Sequence, residues 1–327
     1  MIPLSVLDLV PVREGEGVRE AMAHAANYAR AAEAAGYKRF WIAEHHLTEG
    51  VAGGATSVVI SHIGHATSTI RIGAGGIMLP NHNPFVIAEQ FGTLDAMFPG
   101  RVDLGLGRAP GAAQILGQAL RKNLGQAAEY FPQDVVELRA LLTGDVALPI
   151  TATPGLGANV EMWMLGSSLF GAQLAARLGM PYAFASHFAP DHLDEALAIY
   201  RRDFRPSTSM ERPHVMVAMS VIAGETDEEA AFLASSQDQA FVRLRTGDPG
   251  KLPPPKEGFR ENLPPELQPI ISRLEIARAI GGPATIREKI EAFASLTQAD
   301  EIIVSGATYA NEARCRSLQI TMEALAG

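Results

Sequence analysis

The chain has 327 residues, 47% of them hydrophobic, and a formal net charge of −9 at pH 7. This composition is typical of a chain that buries a large core, and the acidic balance argues against a nucleic-acid-binding protein. The longest apolar runs are shorter than the roughly 18 residues of a membrane span, and residues 1–5 lack the cationic region of a signal peptide, so we expect a cytoplasmic protein. The single cysteine, Cys315, excludes an intramolecular disulfide and any multi-cysteine metal centre.

Short apolar runs alternate along the chain with segments of helical periodicity, as expected for parallel strands that are buried on both faces. Eight strands are predicted, at Leu4 to Val10, Arg39 to Ala43, Ile70 to Leu79, Val102 to Leu106, Val160 to Leu165, Tyr182 to Ala185, His214 to Ala223 and Glu301 to Val304. Helices are predicted at 18–35, 55–68, 85–97, 126–142, 168–178, 190–204, 226–245, 283–297 and 311–325. Eight strand and helix units predict a (β/α)8 TIM barrel, with residues 1–327 as one domain. An open doubly wound sheet shows the same alternation and is the alternative.

Two segments interrupt this repeat. Residues 144–159, after strand four, are rich in Gly, Pro and Thr, and residues 246–269, after strand seven, contain seven prolines, five of them in two clusters. Loops of this length are often lids or disordered segments. If the helix at 283–297 packs on the barrel before strand eight, all of 224–282 is an insertion that starts at the carboxyl end of strand seven.

Ionisable side chains follow two of the predicted strands. Glu44, His45 and His46 come directly after strand two, and His187 comes after strand six. Catalytic residues of such barrels lie at the carboxyl ends of strands, and imidazole exchanges protons near neutral pH. These residues therefore predict a catalytic site, with a structural role as the alternative for His187.

No metal site is predicted. His62 and His65 lie three residues apart inside the second predicted helix, where the neighbouring apolar residues indicate packing against the barrel rather than convergence on a metal ion. His82, in the loop after strand three, is expected to lie in solvent, with a place at the substrate entrance as the alternative.

Glycines interrupt the third predicted strand. Residues 73–76 read Gly-Ala-Gly-Gly, and glycine in a strand marks a bulge, close packing or the close approach of a ligand. The sequence leaves ligand approach and packing as equal alternatives for Gly75 and Gly76.

An anion site is predicted at the ends of strands four and five. Arg108 follows strand four, and Gly166, Ser167 and Ser168 join strand five to a predicted helix. A guanidinium and the amides of a helix N-terminus both bind phosphate groups. The alternative is an ordinary serine cap beside a solvated or salt-bridged arginine.

Together these residues resemble the bacterial luciferase-like flavin-dependent monooxygenases over nearly the whole chain. The resemblance is carried by four segments, Ala43 to His46, Ile72 to Pro80, Leu94 to Arg101 and Gly105 to Arg108. It implies an FMN-binding barrel with a non-prolyl cis peptide at about Gly75-Gly76. Carried over residue by residue, it places the flavin against Gly75 and Gly76, the FMN phosphate near Arg108, Gly166, Ser167 and Ser168, and the catalytic base at His45. This sequence departs from luciferase at Gly166, which replaces an acidic residue, and at Phe170, which replaces a hydroxyl.

The resemblance also implies a reaction. Reduced FMN, supplied by a separate NAD(P)H:flavin reductase, would react with O2 to a C4a-hydroperoxyflavin that oxygenates a small organic substrate. His45 would manage a proton, with Glu44, His46 and His187 in support. A homodimer through the helices after strands two and three is expected. The alternatives are an F420- or FMN-dependent oxidoreductase that transfers hydride without oxygenation, and a flavin-binding protein without catalysis.

Overall fold

Eight parallel strands close into a barrel in the computed structural model, which describes residues 2–108, 113–144 and 148–327. The barrel strands are β1 (Leu4–Asp8), β2 (Arg39–Ile42), β3 (Arg71–Met78), β4 (Val102–Gly107), β5 (Glu161–Gly166), β6 (Tyr182–Phe184), β7 (Val215–Ala223) and β9 (Glu301–Ser305). Consecutive strands from β1 to β7 pair in parallel, and β9 lies between β7 and β1. The predicted TIM barrel is confirmed, and the open sheet is excluded because the ring of strands is complete.

Eleven α-helices are present in the described part of the chain. They are α1 (Val18–Ala35), α2 (Thr56–Ala66), α3 (Pro84–Met97), α4 (Ala113–Leu120), α5 (Leu124–Thr143), α6 (Leu169–Leu178), α7 (Leu193–Asp203), α8 (Asp227–Thr246), α9 (Gln268–Ser272), α10 (Pro283–Thr297) and α11 (Asn311–Ala326). Gly36, Gly144, Gly179 and Gly247 end four of them in the left-handed conformation, which glycine adopts without a steric penalty. The short helices α4 and α9 were not predicted from the sequence. Within the described ranges, no helix is both long and apolar enough to cross a membrane.

The insertion between β7 and α10 contains one more strand, outside the eight of the barrel, that the sequence pattern did not predict. This strand, β8 (Arg278–Gly281), pairs with the end of β7, and its buried Arg278 binds Asp238 of α8 at 2.7 Å. The segment 247–267 is docked on the loop after β1. The amide of Leu252 donates to the carbonyl of Val12 at 2.8 Å, and the amide of Glu14 donates to the carbonyl of Leu252 at 2.9 Å.

Side chains at alternate strand positions fill the barrel interior. At its amino-terminal end, buried Arg39 donates through Nε to Glu301 at 3.0 Å and through Nη1 to Asp103 at 2.9 Å, and both carboxylates are fully buried. Above them, the rings of Trp41 and Trp163 meet edge to face with centroids 5.4 Å apart. These layers occupy the barrel below its carboxyl ends, so the carboxyl-terminal mouth is where a ligand can be received.

Candidate active site

Strand alternation decides which side chain after β2 faces the mouth of the barrel. Trp41 and Ala43 belong to the cluster of apolar side chains inside the barrel. His45 continues this alternate series and is exposed at the carboxyl end, whereas Glu44, on the opposite side of the chain, is only 2% exposed. The structure therefore separates the neighbours Glu44 and His45 into two environments.

His45 and His187 influence each other at this mouth. Although His45 keeps a face in solvent, the protein atoms packed around its ring desolvate it and lower its pKa, the neighbouring His46 lowers it further, and Glu44 acts in the opposite direction. Burial lowers the pKa of His187 to about 4, and the charge of His45 contributes to the shift. Both shifts favour the neutral imidazole at pH 7, which can accept a proton or a hydrogen bond.

Glu44 binds two other histidines. Its Oε1 accepts from Nε2 of His46 at 2.6 Å and from Nε2 of His82 at 2.9 Å, and its Oε2 accepts from the amide of Met78 at 2.8 Å. Burial alone would raise the pKa of Glu44, but the hydrogen bonds from His82, His46 and Met78 lower it below its ordinary value. The expectation that His82 lies in solvent was wrong, because this carboxylate holds its ring.

The peptide bond between Gly75 and Gly76 is cis, as the sequence resemblance implied. The pairing of β3 with β4 shifts register at the same point. A Cβ on Gly75 would lie 2.7 Å from Cδ1 of Leu7, and a Cβ on Gly76 would lie 2.6 Å from the carbonyl oxygen of Gly105. Barrel packing therefore requires glycine at Gly76, where the obstacle is backbone, whereas at Gly75 the obstacle is the end of a flexible leucine side chain.

The residues predicted to bind a phosphate come together at the ends of β4 and β5. These strands pair in parallel as far as Gly107 and Leu165, so Arg108 lies beside the start of α6. The Arg108 guanidinium is exposed and lies 4.0 Å from the centroid of the Phe170 ring in the first turn of α6. Residues 109–112 of the adjoining glycine-rich segment lie outside the described residues.

The N-terminus of α6 has unused hydrogen-bond donors. Ser168 is its N-cap, but within the described part of the chain the Ser168 hydroxyl accepts no hydrogen bond from the helix backbone. The first amides of a helix lack partners inside the helix, and its N-terminus carries a partial positive charge. The environment therefore suits an anion, which would be surrounded by Gly166, Ser167, Ser168 and Arg108.

Nothing in the described ranges resembles a metal centre, since no group of three or more His, Cys, Asp or Glu side chains has suitable geometry. His62 donates to the carbonyl of Met22, and His65 bonds the carbonyl of Ser61 on its own helix. Ile60, Ile63 and Gly64 are buried, as expected for a helix that packs on the barrel, whereas both histidine side chains are exposed.

A further contact at the mouth escaped the sequence analysis. Phe188, next to His187, packs edge to face on Phe241 of α8, and Arg245 lies 4.6 Å from the Phe188 ring centroid and donates to the Phe188 carbonyl at 3.2 Å. The spacing of Phe241 and Arg245 puts both on one helical face, but no pattern in the sequence connects that face with Phe188. The insertion thus supports the loop that carries His187.

Comparison with known proteins identifies the family. A family model described as luciferase-like monooxygenase matches residues 3–299. A luciferase-like monooxygenase of Escherichia coli (strain K12) is 45% identical over 323 residues, which cover 98% of this chain and 96% of that protein. The N-acetyl-S-alkylcysteine monooxygenase of Bacillus subtilis (strain 168) is 33% identical over 254 residues, which cover 76% of this chain and 75% of that protein.

Solved structures agree with this assignment. The crystal structure of apo-MsnO8 matches with a TM-score of 0.92 at 33% identity and covers 100% of this chain and 99% of that one. At 16% identity and a TM-score of 0.70, the oxygenating constituent of 3,6-diketocamphane monooxygenase in complex with FMN shares the fold. So does an F420-dependent secondary alcohol dehydrogenase, at 14% identity and a TM-score of 0.71. The chain belongs to the luciferase-like monooxygenase family and is an enzyme of the flavin-dependent monooxygenase and oxidoreductase class.

Proposed function

We propose that the protein is an FMN-dependent monooxygenase that uses reduced FMN and O2 to oxygenate a small organic substrate. The observation that carries this proposal is the placement of two neutral imidazoles, His45 and His187, at a barrel mouth that also holds the N-terminus of α6. FMN combines a hydrogen-bonding ring system with a phosphate. At the mouth, His45 and His187 suit the ring system, and the N-terminus of α6 suits the phosphate.

The residues present fit this cofactor. The first amides of α6 receive no side-chain cap from Ser168, in the part of the chain that the structure describes, and Arg108 stands beside them. They would hold the phosphate, because charge-assisted hydrogen bonds from a guanidinium and a helix N-terminus suit an anion. The buried Nδ1 of His187 has no hydrogen-bond partner among the described residues, which fits a ligand atom at this position. Gly75 and Gly76, both half-buried in β3, would lie against the flavin ring.

When bound, reduced FMN supplies the electrons that activate O2. His45 is neutral at pH 7, so its imidazole can accept a proton from a reacting group and return it. The segment 247–267 is docked on the loop after β1, which lies at the carboxyl end of the barrel, and would shield a flavin bound there. Exclusion of water there favours oxygen transfer over the loss of hydrogen peroxide.

The source of the reductant, the location of the protein and its oligomeric state are part of the same proposal. The reductant is reduced FMN from a separate NAD(P)H:flavin reductase, the protein is cytoplasmic, and it forms a homodimer through α2 and α3. Val58 of α2 is 67% exposed and Met97 of α3 is 44% exposed, which supports an apolar contact between copies of the chain.

Cofactor binding and oxygen use together test the proposal. The purified protein is titrated with FMN and with F420, and O2 consumption with photoreduced FMN is then screened against small organic substrates. We expect FMN binding and substrate-dependent O2 uptake with one oxygen atom recovered in the product. Binding of F420 with substrate reduction and no O2 uptake would replace the monooxygenase by a hydride-transferring oxidoreductase. Flavin binding without any turnover would favour the non-catalytic alternative.

A further inference from the structure

The carboxylate of Glu44 joins the ends of two neighbouring barrel strands. It accepts hydrogen bonds from His46 Nε2 at 2.6 Å, from the Met78 amide at 2.8 Å, from His82 Nε2 at 2.9 Å and from Asn81 Nδ2 at 3.3 Å. His46 follows β2, and the other three donors lie at the end of β3 or in the loop after it. We refer to these five residues as the Glu44 cluster.

The donors of this cluster are unusual for a buried carboxylate. The Glu44 side chain is fully buried, and among the described residues it pairs with no Lys or Arg. Because an ionised carboxylate can only accept, both His46 and His82 must carry a proton on Nε2. A buried charge held in this way costs stability compared with a neutral contact, which argues for a role in specifying geometry.

The position of the cluster connects it with the proposed active site. His45 is adjacent to Glu44 and projects into the mouth, and Met78 lies two residues after Gly76. Beyond His46 the chain turns sharply, since Leu47 has a positive φ of 58°. The hydrogen bonds hold the Glu44 side chain on the outer side of β2. Because side chains alternate along an extended chain, the next residue, His45, faces the barrel interior.

We propose that Glu44 is a positioning residue, whose hydrogen bonds from His46, His82 and Met78 fix the end of β2 against the end of β3 and so set where His45 stands relative to Gly75 and Gly76. The inference rests on the proposed function in one respect, that His45 is the reacting imidazole. His82, which was expected in solvent from the sequence, is the partner of Glu44 from the loop after β3.

Histidine NMR tests the inference without turnover. The full chain is labelled with 15N-histidine, and the ring signals are followed against pH in wild type, Glu44→Gln and the matched control Glu49→Gln, which removes an exposed charge from the same loop. The titratable groups that act on His45 are His46 and Glu44, and His45 in turn acts on His187. In Glu44→Gln, whose single amide oxygen accepts fewer and weaker hydrogen bonds than the carboxylate, we expect the ring signals of His46 and His82 to shift and the His45 midpoint to fall. The control should match wild type.

A second pair of variants covers the case in which Glu44→Gln does not fold. His82→Ala removes one donor to Glu44, whereas His82→Gln keeps an amide donor. We expect the first to shift the His45 signal and the second to restore it towards wild type. The inference is overturned if the His45 signal is the same as in wild type in Glu44→Gln, or in both His82 variants. If wild type binds no FMN but the His45 signal still shifts, the proposed function fails and the positioning role stands.

Discussion

His187 lies close enough to His45 for a charge on His45 to lower the pKa of His187. The two residues are 142 positions apart in the chain (187 − 45), and they follow β2 and β6. Burial is the larger cause of the shift and brings the pKa of His187 to about 4. The mouth of the barrel therefore disfavours positive charge.

Replacement of His45 tests its place in the chemistry. His45→Ala should leave the FMN affinity within about twofold and lower coupled oxygenation by about 10²- to 10⁴-fold, the usual contribution of a general acid or base. Product yield and hydrogen peroxide are measured per reduced FMN consumed. His192→Ala removes an exposed imidazole and serves as the control. Wild-type product yield in His45→Ala would remove His45 from the mechanism.

Arg108 is expected to act on the FMN phosphate. Arg108→Ala should raise the FMN dissociation constant about tenfold or more, which corresponds to roughly 1.4 kcal/mol, and should leave riboflavin affinity unchanged. Fluorescence titration measures both. Arg177→Ala, at the opposite end of α6 and exposed, is the matched control. Equal losses for FMN and riboflavin would show that Arg108 does not bind the phosphate.

The lowered pKa of His187 predicts that the free energy of unfolding depends on pH. Its native pKa of about 4 lies below its ordinary value of 6.5, so the unfolded chain binds a proton that the native state excludes. Stability should be fully present above pH 6.5 and fall as the pH decreases towards 4, by about 2 kcal/mol at pH 5. Urea unfolding at pH 7 and pH 5 measures this loss, and His187→Asn should reduce it. An unchanged loss in His187→Asn would assign it to other groups.

Glu301 is the central carboxylate at the amino-terminal end of the barrel. It accepts from Ser5, from Lys38 at 2.9 Å and from Arg39 at 3.0 Å. Glu301→Gln should lower the free energy of unfolding by about 3 kcal/mol, because it leaves buried Arg39 with less compensation. Glu161→Gln removes a partner of Arg39 that is 40% exposed, and it should cost less than about 1 kcal/mol. Similar losses in the two variants, measured by urea unfolding, would contradict this reasoning.

Gly76 in β3 and Gly107 in β4 differ in the space available for a side chain, which predicts different effects of alanine on stability. A Cβ on Gly76 would meet the backbone oxygen of Gly105 at 2.6 Å, whereas a Cβ on Gly107 would meet its nearest neighbour at 3.8 Å. Gly76→Ala should therefore lower the free energy of unfolding by about 2 kcal/mol or more, and Gly107→Ala should change it by less than about 0.5 kcal/mol. Thermal unfolding of the apoproteins compares them. Equal stabilities would show that β3 can move to admit a side chain.

The barrel could be predicted from the sequence because its strands are apolar on both faces and its helices have a clear period. Each barrel strand was predicted within a few residues of its observed bounds, and four helix ends carry a glycine. β8 could not be predicted in this way. It has four residues and begins with Arg278, and it forms a strand only because Asp238 of α8 binds that arginine and β7 offers an edge.

For the active site, the sequence by itself determined which residues stand at the carboxyl ends of strands, since the position of His45, Arg108 and His187 after apolar runs is a local property. It could not determine where His82 lies, because its partner Glu44 is 38 residues earlier and the two meet only through the pairing of β2 with β3. Strand pairing and alternation also decided that His45 faces the mouth while Glu44 is buried behind it. Local periodicity specifies the elements, whereas their register, which depends on contacts distant in sequence, decides which side chains meet.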